Sequence, residues 1–405
     1  MAHRRTLLFV ADTFPFPLDR GQRVRVQNLL AACGKAFDVT FLGPGPENDS
    51  EKQHVERHCA RAIYLPPRPP GLRARLALTA RTIASAPGVP RPRNIRRFEP
   101  FIAALREARP DTFDLIWAER PDMARLGTRA LRGRTVLDLD DLEHRKQARL
   151  LGIQRAPVAR ARTMYRYAVH RYLEVSWARE FLATIVCSDE DRDYLAARGC
   201  RNGYVVPNAP ASLGATGARA RAGDPASPLR LVFLGNVGAE ANADAIDFFA
   251  TKMLPVLREK SPNVTFDVIG PNAHLAAGAT RTSAVRFRGF VEDLGAALSE
   301  YDVLVAPLRF GGGTKLKVLD AMAHRIPVVT TAVGAEGLSV AHREHAWIAD
   351  SPEVIVEGIL RIKRDPHFGD RLAENAFAHV LERFSWEAIQ DRLSEWLVKL
   401  VPRRS

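Results

Sequence analysis

The chain uses one structural grammar twice, and this constrains its fold more than any other feature. Short apolar runs alternate with stretches of helical periodicity, once before residue 207 and again after residue 228. Residues 7–11 form the first apolar run. Val26, Leu29, Leu30, Cys33 and Phe37 then mark one face of an amphipathic helix. Further strands are predicted at 38–42, 62–65, 115–118, 135–139 and 184–187, then at 229–234, 265–269, 285–287, 303–306 and 327–330. Helical patterns lie between most of them and end the chain at about 366–384 and 386–400. Strands alternating with helices pair in parallel, with helices on both faces of the sheet. Residues 207–228 are rich in Ala, Gly, Pro and Ser and carry no apolar periodicity, as a linker or long loop would. The 405 residues suit two domains of roughly 200 each. The expected fold is therefore α/β, with two Rossmann-like doubly wound domains facing a cleft. The domains are 1–207 and 229–384, with 208–228 as linker. In such sheets ligands bind at the carboxyl ends of strands.

Composition narrows the partners. A hydrophobic share of 46% and a charged share of 26% are those of a globular chain that buries real cores. With 59 basic against 46 acidic residues, the net charge is +13, which attracts polyanions, an anionic membrane face or phosphorylated substrates. Residues 68–97 hold eight arginines and no acid. Two readings stand open for them, a solvated helical face and a surface in peripheral contact with anionic lipid. No basic stripe interleaved with stacking aromatics has a known module's spacing, so nucleic acid is not expected as a partner. Cys33, Cys59, Cys187 and Cys200 lack metal-ligand spacing and read as small, mostly buried residues of a reduced protein. No window reaches the ~20 apolar residues of a membrane span. The first apolar run stops at Asp12, too early for a signal peptide. A cytoplasmic protein, peripheral at most on the inner membrane face, is expected.

The chemistry concentrates at residues 306–323, APLRFGGGTKLKVLDAMA. A buried strand ends, Gly311, Gly312 and Gly313 follow, and a helix opens near Lys315. Glycines let backbone amides approach a ligand, and a helix N-terminus favours anions. Lys315 there opposes the helix dipole unless it meets a phosphate. The plainer alternative is a mobile glycine loop with two solvated lysines. Asp320 lies six residues past Thr314 and could accept hydrogen bonds from vicinal ribose hydroxyls. The chain has no Walker lysine pattern, and Gly235-Asn236-Val237-Gly238 lacks the third glycine of a dinucleotide fingerprint.

This segment, with the Pro327–Leu338 stretch after it, resembles the donor-binding signature of group 1 (family 4) retaining glycosyltransferases. Supporting matches run through the chain: Pro15-Phe16-Pro17 with Gly21 and Arg23, Val206-Pro207-Asn208-Ala209, Phe233-Leu234-Gly235-Asn236, and Arg383-Phe384-Ser385-Trp386. The resemblance implies a GT-B fold. Its acceptor-side domain would be 1–207, its nucleotide-sugar domain 229–384, and its terminal helix, 385–405, would cross back to the first domain. It further implies that a nucleoside diphosphate sugar is the co-substrate, with no resident cofactor and no obligatory metal. Of that family's two acids eight residues apart, Asp320 stands for the second and Gly312 replaces the first. The cations that clamp the diphosphate early in the donor domain fall near Asn236 and Asn242, both neutral. Lys315 is left to carry that charge, which matters because negative charge develops on the leaving group.

In the first domain, Asp140 or Asp141 stands at a strand end where many such enzymes place a histidine beside the reacting sugar. A role at the sugar and a role capping a helix through Glu143 and His144 stand about even. Asp138, Asp140, Asp141 and His144 also suggest a metal-binding group, ranked lower. The loop 15–25 brings Gly21, Arg20, Arg23 and Arg25 to another strand end. Glu119 and Arg120 end a third strand, where a mutual salt bridge would explain them equally well. The resulting expectation is a hexosyltransferase acting on a glycan or lipid-linked acceptor in polysaccharide or glycolipid synthesis. Its alternatives are a sugar-nucleotide epimerase of the same architecture and a catalytically degenerate glycan-binding scaffold.

Overall fold

The computed structural model describes residues 4–18, 21–65, 95–124, 127–210, 212–214, 228–272 and 285–401, with main chain alone at 95–99. Arg20 and most of the basic run 68–97 lie outside the described residues, as do 215–227 of the expected linker.

Among the described residues, thirteen strands build two sheets, every pairing of which is parallel. The first sheet contains β1 (Thr6–Val10), β2 (Asp38–Pro44), β3 (Arg61–Leu65), β4 (Leu115–Glu119), β5 (Thr135–Asp140), β6 (Ala183–Val186) and β7 (Gly203–Val205), in the order β3-β2-β1-β4-β5-β6-β7. The second contains β8 (Leu229–Leu234), β9 (Val264–Ile269), β10 (Val285–Gly289), β11 (Val303–Ala306), β12 (Val328–Thr330) and β13 (Trp347–Ile348), in the order β10-β9-β8-β11-β12-β13. Each order reverses direction once, between β1 and β4 and between β8 and β11. These switch points open crevices at the strand carboxyl ends. β7 and β13 have three and two residues, too short for a periodic signal, so the sequence does not announce them.

Central strands such as β1 are apolar almost throughout, because both faces of a parallel sheet are covered. Register fixes the first core: Phe9 pairs with Phe41 on one side and Trp117 on the other. The Phe9 and Trp117 rings stack at 5.9 Å. In the second sheet, Phe249 of the helix Glu240–Lys252 lies 4.4 Å from Phe266 of β9, ring centre to ring centre.

The chain divides into two contact units. One comprises residues 1–144, 164–206 and 386–405, the other 145–163 and 207–385. The terminal helix Trp386–Leu400 belongs to the first, where Gln390 donates to Asn28 Oδ1 at 2.7 Å and Trp396 stacks on Tyr204 at 4.1 Å. Residues 145–163 go with the second unit, whereas the sequence places 1–207 in one continuous domain. The physical reason is a pair of arginines described below.

Candidate functional site

In the second unit, residues gather at the switch point between β8 and β11. Gly235 leaves β8 at φ 147 and Gly270 leaves β9 at φ 150. A Cβ on Gly270 would sit 2.1 Å from the Gly235 carbonyl oxygen, so only glycine lets these strand ends close up. A Cβ on Gly235 would lie 2.6 Å from Asn242 Nδ2 and 3.1 Å from Lys317 Nζ. The bare glycine therefore lets Asn242 and the Lys317 ammonium pack directly against the turn after β8.

The glycine loop is held by cations on its carbonyl side. Arg149 Nη1 donates to the Gly311 oxygen at 2.7 Å, and Lys315 Nζ donates to Gly312 and Gly313 oxygens at 3.0 and 2.6 Å. In a trans peptide the following N–H points opposite to the C=O. These bonds thus turn the Gly312, Gly313 and Thr314 amides to the other side, and successive amides turned one way form a concavity for anions. Gly313 takes φ 57, which glycine tolerates without strain. The helix Leu316–Ala323 opens directly after Lys315, adding its positive end.

Lys315 is buried, with its ammonium directed into the loop. The cation nearest Gly235 is instead Lys317, which the sequence reading leaves among solvated lysines. Lys317 Nζ lies 4.2 Å from the centre of the Phe233 ring and donates to Asn242 Oδ1. Asn242 Nδ2 in turn donates to the Asn236 carbonyl at 2.9 Å. No carboxylate among the described residues pairs with Lys317. Burial, with the charge of Lys315 second, lowers its pKa to about 7. The signal for it in sequence is a lone cation inside the apolar stretch 316–323.

Asn236 shapes the turn after β8, its Oδ1 accepting from Gly238 N and Asn272 Nδ2, both at 2.8 Å. Asp320 is half-buried on the helix Leu316–Ala323, one and a half turns beyond the loop. Arg149 also reaches Glu336, Nη1 to Oε2 at 2.6 Å and Nη2 to Oε1 at 2.7 Å, and Arg145 joins at 2.8 Å. This pairing binds residues 145–163 to the second unit. Burial alone would raise the Glu336 pKa, but the hydrogen bonds and charge of Arg149, with Arg145 and Lys315, hold it below the usual range. Arginines and a glutamate so far apart in sequence carry no local pattern.

In the first unit, the carboxyl ends of β1, β4 and β5 bring together Asp12, Glu119, Arg120, Asp140 and Asp141. Glu119 is buried and accepts from Gln22 Nε2 at 2.8 Å and from the Asp12 amide at 3.2 Å. Arg120 Nε lies 3.7 Å from its Oε1, so the mutual contact exists alongside the strand-end position. Burial, then the charge of Asp12, pushes the Glu119 carboxyl up to about 8, against Arg120 and Gln22. Arg120 and Asp140 both adopt left-handed backbone, at φ 68 and φ 60. Non-glycine residues held there carry on the order of 1–3 kcal/mol of strain, and such residues cluster at functional sites. Gly21 opens the helix Gly21–Ala36, and Arg23 lies in its first turn with Nη1 3.5 Å from the Pro17 oxygen.

Two expectations are corrected. Arg25 brings its charge to the strand end as a buried ion pair: it lies against Asp138, Nη2 to Oδ1 at 2.8 Å and Nε to Oδ2 at 3.2 Å, with Nε 3.5 Å from Asp140 Oδ1 and Nη1 on the Val206 oxygen at 2.9 Å. The metal-binding group suggested around Asp138 and His144 is not formed either, and the helix after β5 is Glu143–Ile153. Glu174, on the π-turn Tyr172–Trp177, accepts from the Glu143 and His144 amides at 3.2 and 3.1 Å. His144 Nδ1 also meets Glu174 at 2.5 Å, and its Nε2 meets Tyr194 Oη at 2.9 Å. Asp138 and His144 thus face different partners rather than a shared ion, and Asp140 and Asp141 are left at the strand end.

Comparison with known proteins bears on the second unit first. Residues 228–365, which include the Gly235 turn, the glycine loop, Lys317, Asp320 and Glu336, match the family model described as glycosyl transferases group 1. That match covers about a third of the chain. A protein in the cps region of Klebsiella pneumoniae, described as uncharacterized, is 24% identical over 163 residues. That match covers 38% of this chain and 42% of the relative, so the chain spans less than half of the relative's length. Among solved structures, sucrose-phosphate synthase from Thermosynechococcus elongatus superposes with a TM-score of 0.69 at 19% identity, covering 98% of this chain and 99% of that one. HepE from Anabaena in complex with UDP-glucose gives 0.64 at 17% identity, covering 97% and 99%. WaaG, a glycosyltransferase involved in lipopolysaccharide biosynthesis, gives 0.59 at 15%, covering 96% and 99%. The chain has the GT-B fold.

Proposed function

We propose that the protein transfers a hexose-type sugar from a nucleoside diphosphate sugar to a glycan or lipid-linked acceptor, with retention at the anomeric carbon. The observation that carries this is the glycine loop of the second unit. That loop, the opening of the helix Leu316–Ala323 and the Lys317 ammonium all lie at the carboxyl ends of β8 and β11. Their amides and charge suit a diphosphate. Asn236 and Asn242 are neutral, and Lys317, held against Asn242, supplies the charge they lack. Asp320 takes the ribose hydroxyls. Gly312 has no side chain, so loop amides face the donor sugar. The lysine charge and oriented amides stabilise the leaving diphosphate, so the reading needs no resident cofactor or metal, and the nucleotide sugar is a co-substrate. Asp140 and Asp141, with Glu119, Gly21 and Arg23 nearby in the first unit, are assigned to the acceptor or donor sugar. The cps-region relative and WaaG support a place in polysaccharide or cell-envelope synthesis, on the cytoplasmic side where nucleotide sugars are made.

A thermal-shift screen of UDP, GDP, ADP, CMP and dTDP with their sugars, on wild type and Asp320→Ala, tests it. A ligand at 100 times its Kd stabilises the fold by about 2.7 kcal/mol. One diphosphate family should shift the wild type and leave the variant unmoved. No shift from any nucleotide sinks the reading. Binding without transfer to any acceptor would leave the Gly312 substitution as the mark of a binding scaffold.

A further inference from the structure

We propose that Glu174 and His144 are positioning residues for sugar transfer, fixing Asp140 and Asp141 through the backbone of residues 141–144 rather than by touching substrate. This rests on the assignment of those two aspartates to a sugar, and every residue involved belongs to the first unit. Leu142 alone separates Asp141 from Glu143. β5 loses its regular register with β6 between Asp138 and Asp140, and Asp140 takes φ 60. A non-glycine residue stays in that conformation only where its surroundings hold it. Upstream, the Asp140 amide donates to Asp138 Oδ1 at 3.1 Å and its carbonyl accepts from Cys187 N at 2.8 Å. Downstream, Leu142 is fully buried, and Glu174 takes the Glu143 amide on Oε1 and the His144 amide on Oε2.

The downstream hold is more than a helix opening requires. A serine, threonine or aspartate just before the helix supplies the ordinary cap. Here Leu142 stands in that place, and a carboxylate 31 residues from Glu143 accepts instead. Its Oε2 also takes His144 Nδ1 at 2.5 Å, and His170 Nδ1 lies 3.3 Å from Oε1. Burial alone would raise the Glu174 pKa, but the hydrogen bonds from His144 and His170 hold it below the usual range. His144 Nε2 meets Tyr194 Oη at 2.9 Å on the helix Asp189–Ala196, so both ring nitrogens and the amide of His144 are fixed. Glu174 itself sits on a π-turn, a geometry frequent at functional sites. Burying a carboxylate and an imidazole costs more than a local hydroxyl cap would, and what it adds is a fixed orientation. With 3% and 1% of their side chains exposed, Glu174 and His144 do not reach a substrate themselves. Their effect passes to the two aspartates through the backbone of Leu142 and Glu143.

Nucleotide release from UDP-glucose, GDP-mannose, ADP-glucose and dTDP-glucose, with water as acceptor, tests it on the full chain. Glu174→Gln keeps the shape of the side chain but offers one acceptor oxygen in place of two. Tyr194→Phe, at a half-buried side chain, removes one hydroxyl and gives a second variant should Glu174→Gln fail to fold. On the donor that wild type turns over, kcat should fall on the order of ten- to hundredfold in Glu174→Gln, the scale of a small misplacement of reacting groups, and less in Tyr194→Phe. Donor KM and the nucleotide thermal shift should stay unchanged, because the glycine loop and Lys317 belong to the other unit. A purely structural role would lower the melting temperature and leave kcat per folded molecule as it was. Nor should the losses multiply: Glu174→Gln added to the more damaging of Asp140→Asn and Asp141→Asn should be no slower than that aspartate variant alone. If neither aspartate variant loses rate, the sugar assignment falls and the inference with it. Wild type that releases nucleotide from none of the donors overturns the inference and the transfer reading together. If an aspartate variant is slow while folded Glu174→Gln and Tyr194→Phe keep the wild-type kcat, or if the losses multiply, the inference is overturned and the assignment stands.

Discussion

The Lys317 ammonium lies 4.2 Å from the centre of the Phe233 ring, with the Asn242 amide oxygen as its other partner. A half-buried cation next to Lys315 and with only neutral partners is poorly compensated, and a bound diphosphate would complete it. Its pKa of about 7, below the ordinary 10.5, gives the sign of the pH effect. Above pH 7 the free protein has lost the proton that the phosphate-bound state retains. Nucleotide diphosphate binding should take up close to one proton at pH 8, and affinity should weaken by about tenfold per unit above pH 7. Calorimetry in buffers of different ionisation enthalpy reads both. Lys317→Gln should bind weakly and without the pH slope; a variant that kept the slope would remove Lys317 from the donor site.

The position of that ammonium depends on Gly235. Alanine there would meet Asn242 at 2.6 Å on a backbone with φ 147 that side chains rarely adopt. Gly235→Ala should cost about 1–3 kcal/mol of stability from the backbone alone. It should also weaken nucleotide-induced thermal stabilisation, by displacing Asn242 and the Lys317 ammonium bonded to it. A variant whose melting temperature falls but whose nucleotide shift is intact would separate the turn from the site.

The repeated strand–helix grammar made the two sheets legible, because parallel strands buried on both faces read as continuous apolar runs. The glycine loop was legible because glycines, a strand end and a helix start coincide within a few residues. Partners joined across long sequence separations were not. Arg25 and Asp138 are 113 residues apart, and Arg149 and Glu336 are 187 apart. An arginine near a strand end looks the same in sequence whether it meets a ligand or a buried carboxylate. Lys317 was masked for a different reason: Lys315, two residues earlier, occupies the helix start, and only side-chain direction shows which lysine faces Gly235.

The Arg25 and Asp138 pair is almost fully buried, at 2% and 1% exposure. Arg25→Met would leave the Asp138 carboxylate unpaired in the core and free the Val206 carbonyl from its donor. A loss of about 3–5 kcal/mol is expected by urea denaturation. Arg25→Met with Asp138→Leu should recover part of that loss, since both buried charges go while Asp140 loses Arg25 and its amide loses the Asp138 acceptor. Equal destabilisation of the single and double variants would refute the ion-pair account.

Glu119 should make the fold sensitive to alkali. Its folded pKa of about 8 exceeds the unfolded 4.5, so the folded state holds a proton that the unfolded state has released between those values. Stability from this group is therefore present at low pH and declines as pH rises from 4.5 through 8, by up to about 1.4 kcal/mol per unit. Glu119→Gln keeps a group that accepts from the Asp12 amide and cannot ionise. The variant should match wild type near pH 4.5 and melt higher than wild type at pH 8.5. Parallel melting curves across that range would show that Glu119 is ionised in the folded protein.

Arg149 should act on the donor through the loop rather than by touching it. Its guanidinium spans the Gly311 oxygen and both oxygens of Glu336, so one side chain fixes the loop carbonyl and the segment after β12. Arg149→Ala leaves the half-buried Glu336 with Arg145, which limits the loss of stability, but releases the Gly311 peptide. Once that peptide can rotate, the Gly312 amide no longer points steadily toward the anion concavity. A charged hydrogen bond of this kind contributes about 1.5–3 kcal/mol, equivalent to roughly ten- to hundredfold in donor affinity. Arg149→Lys can restore the charge but not the fork that reaches two acceptors at once. Donor affinity should therefore fall in both variants, more in alanine, with melting temperatures close to wild type. If Arg149→Lys binds nucleotide as tightly as wild type, a single point charge suffices and the loop does not depend on the paired contact.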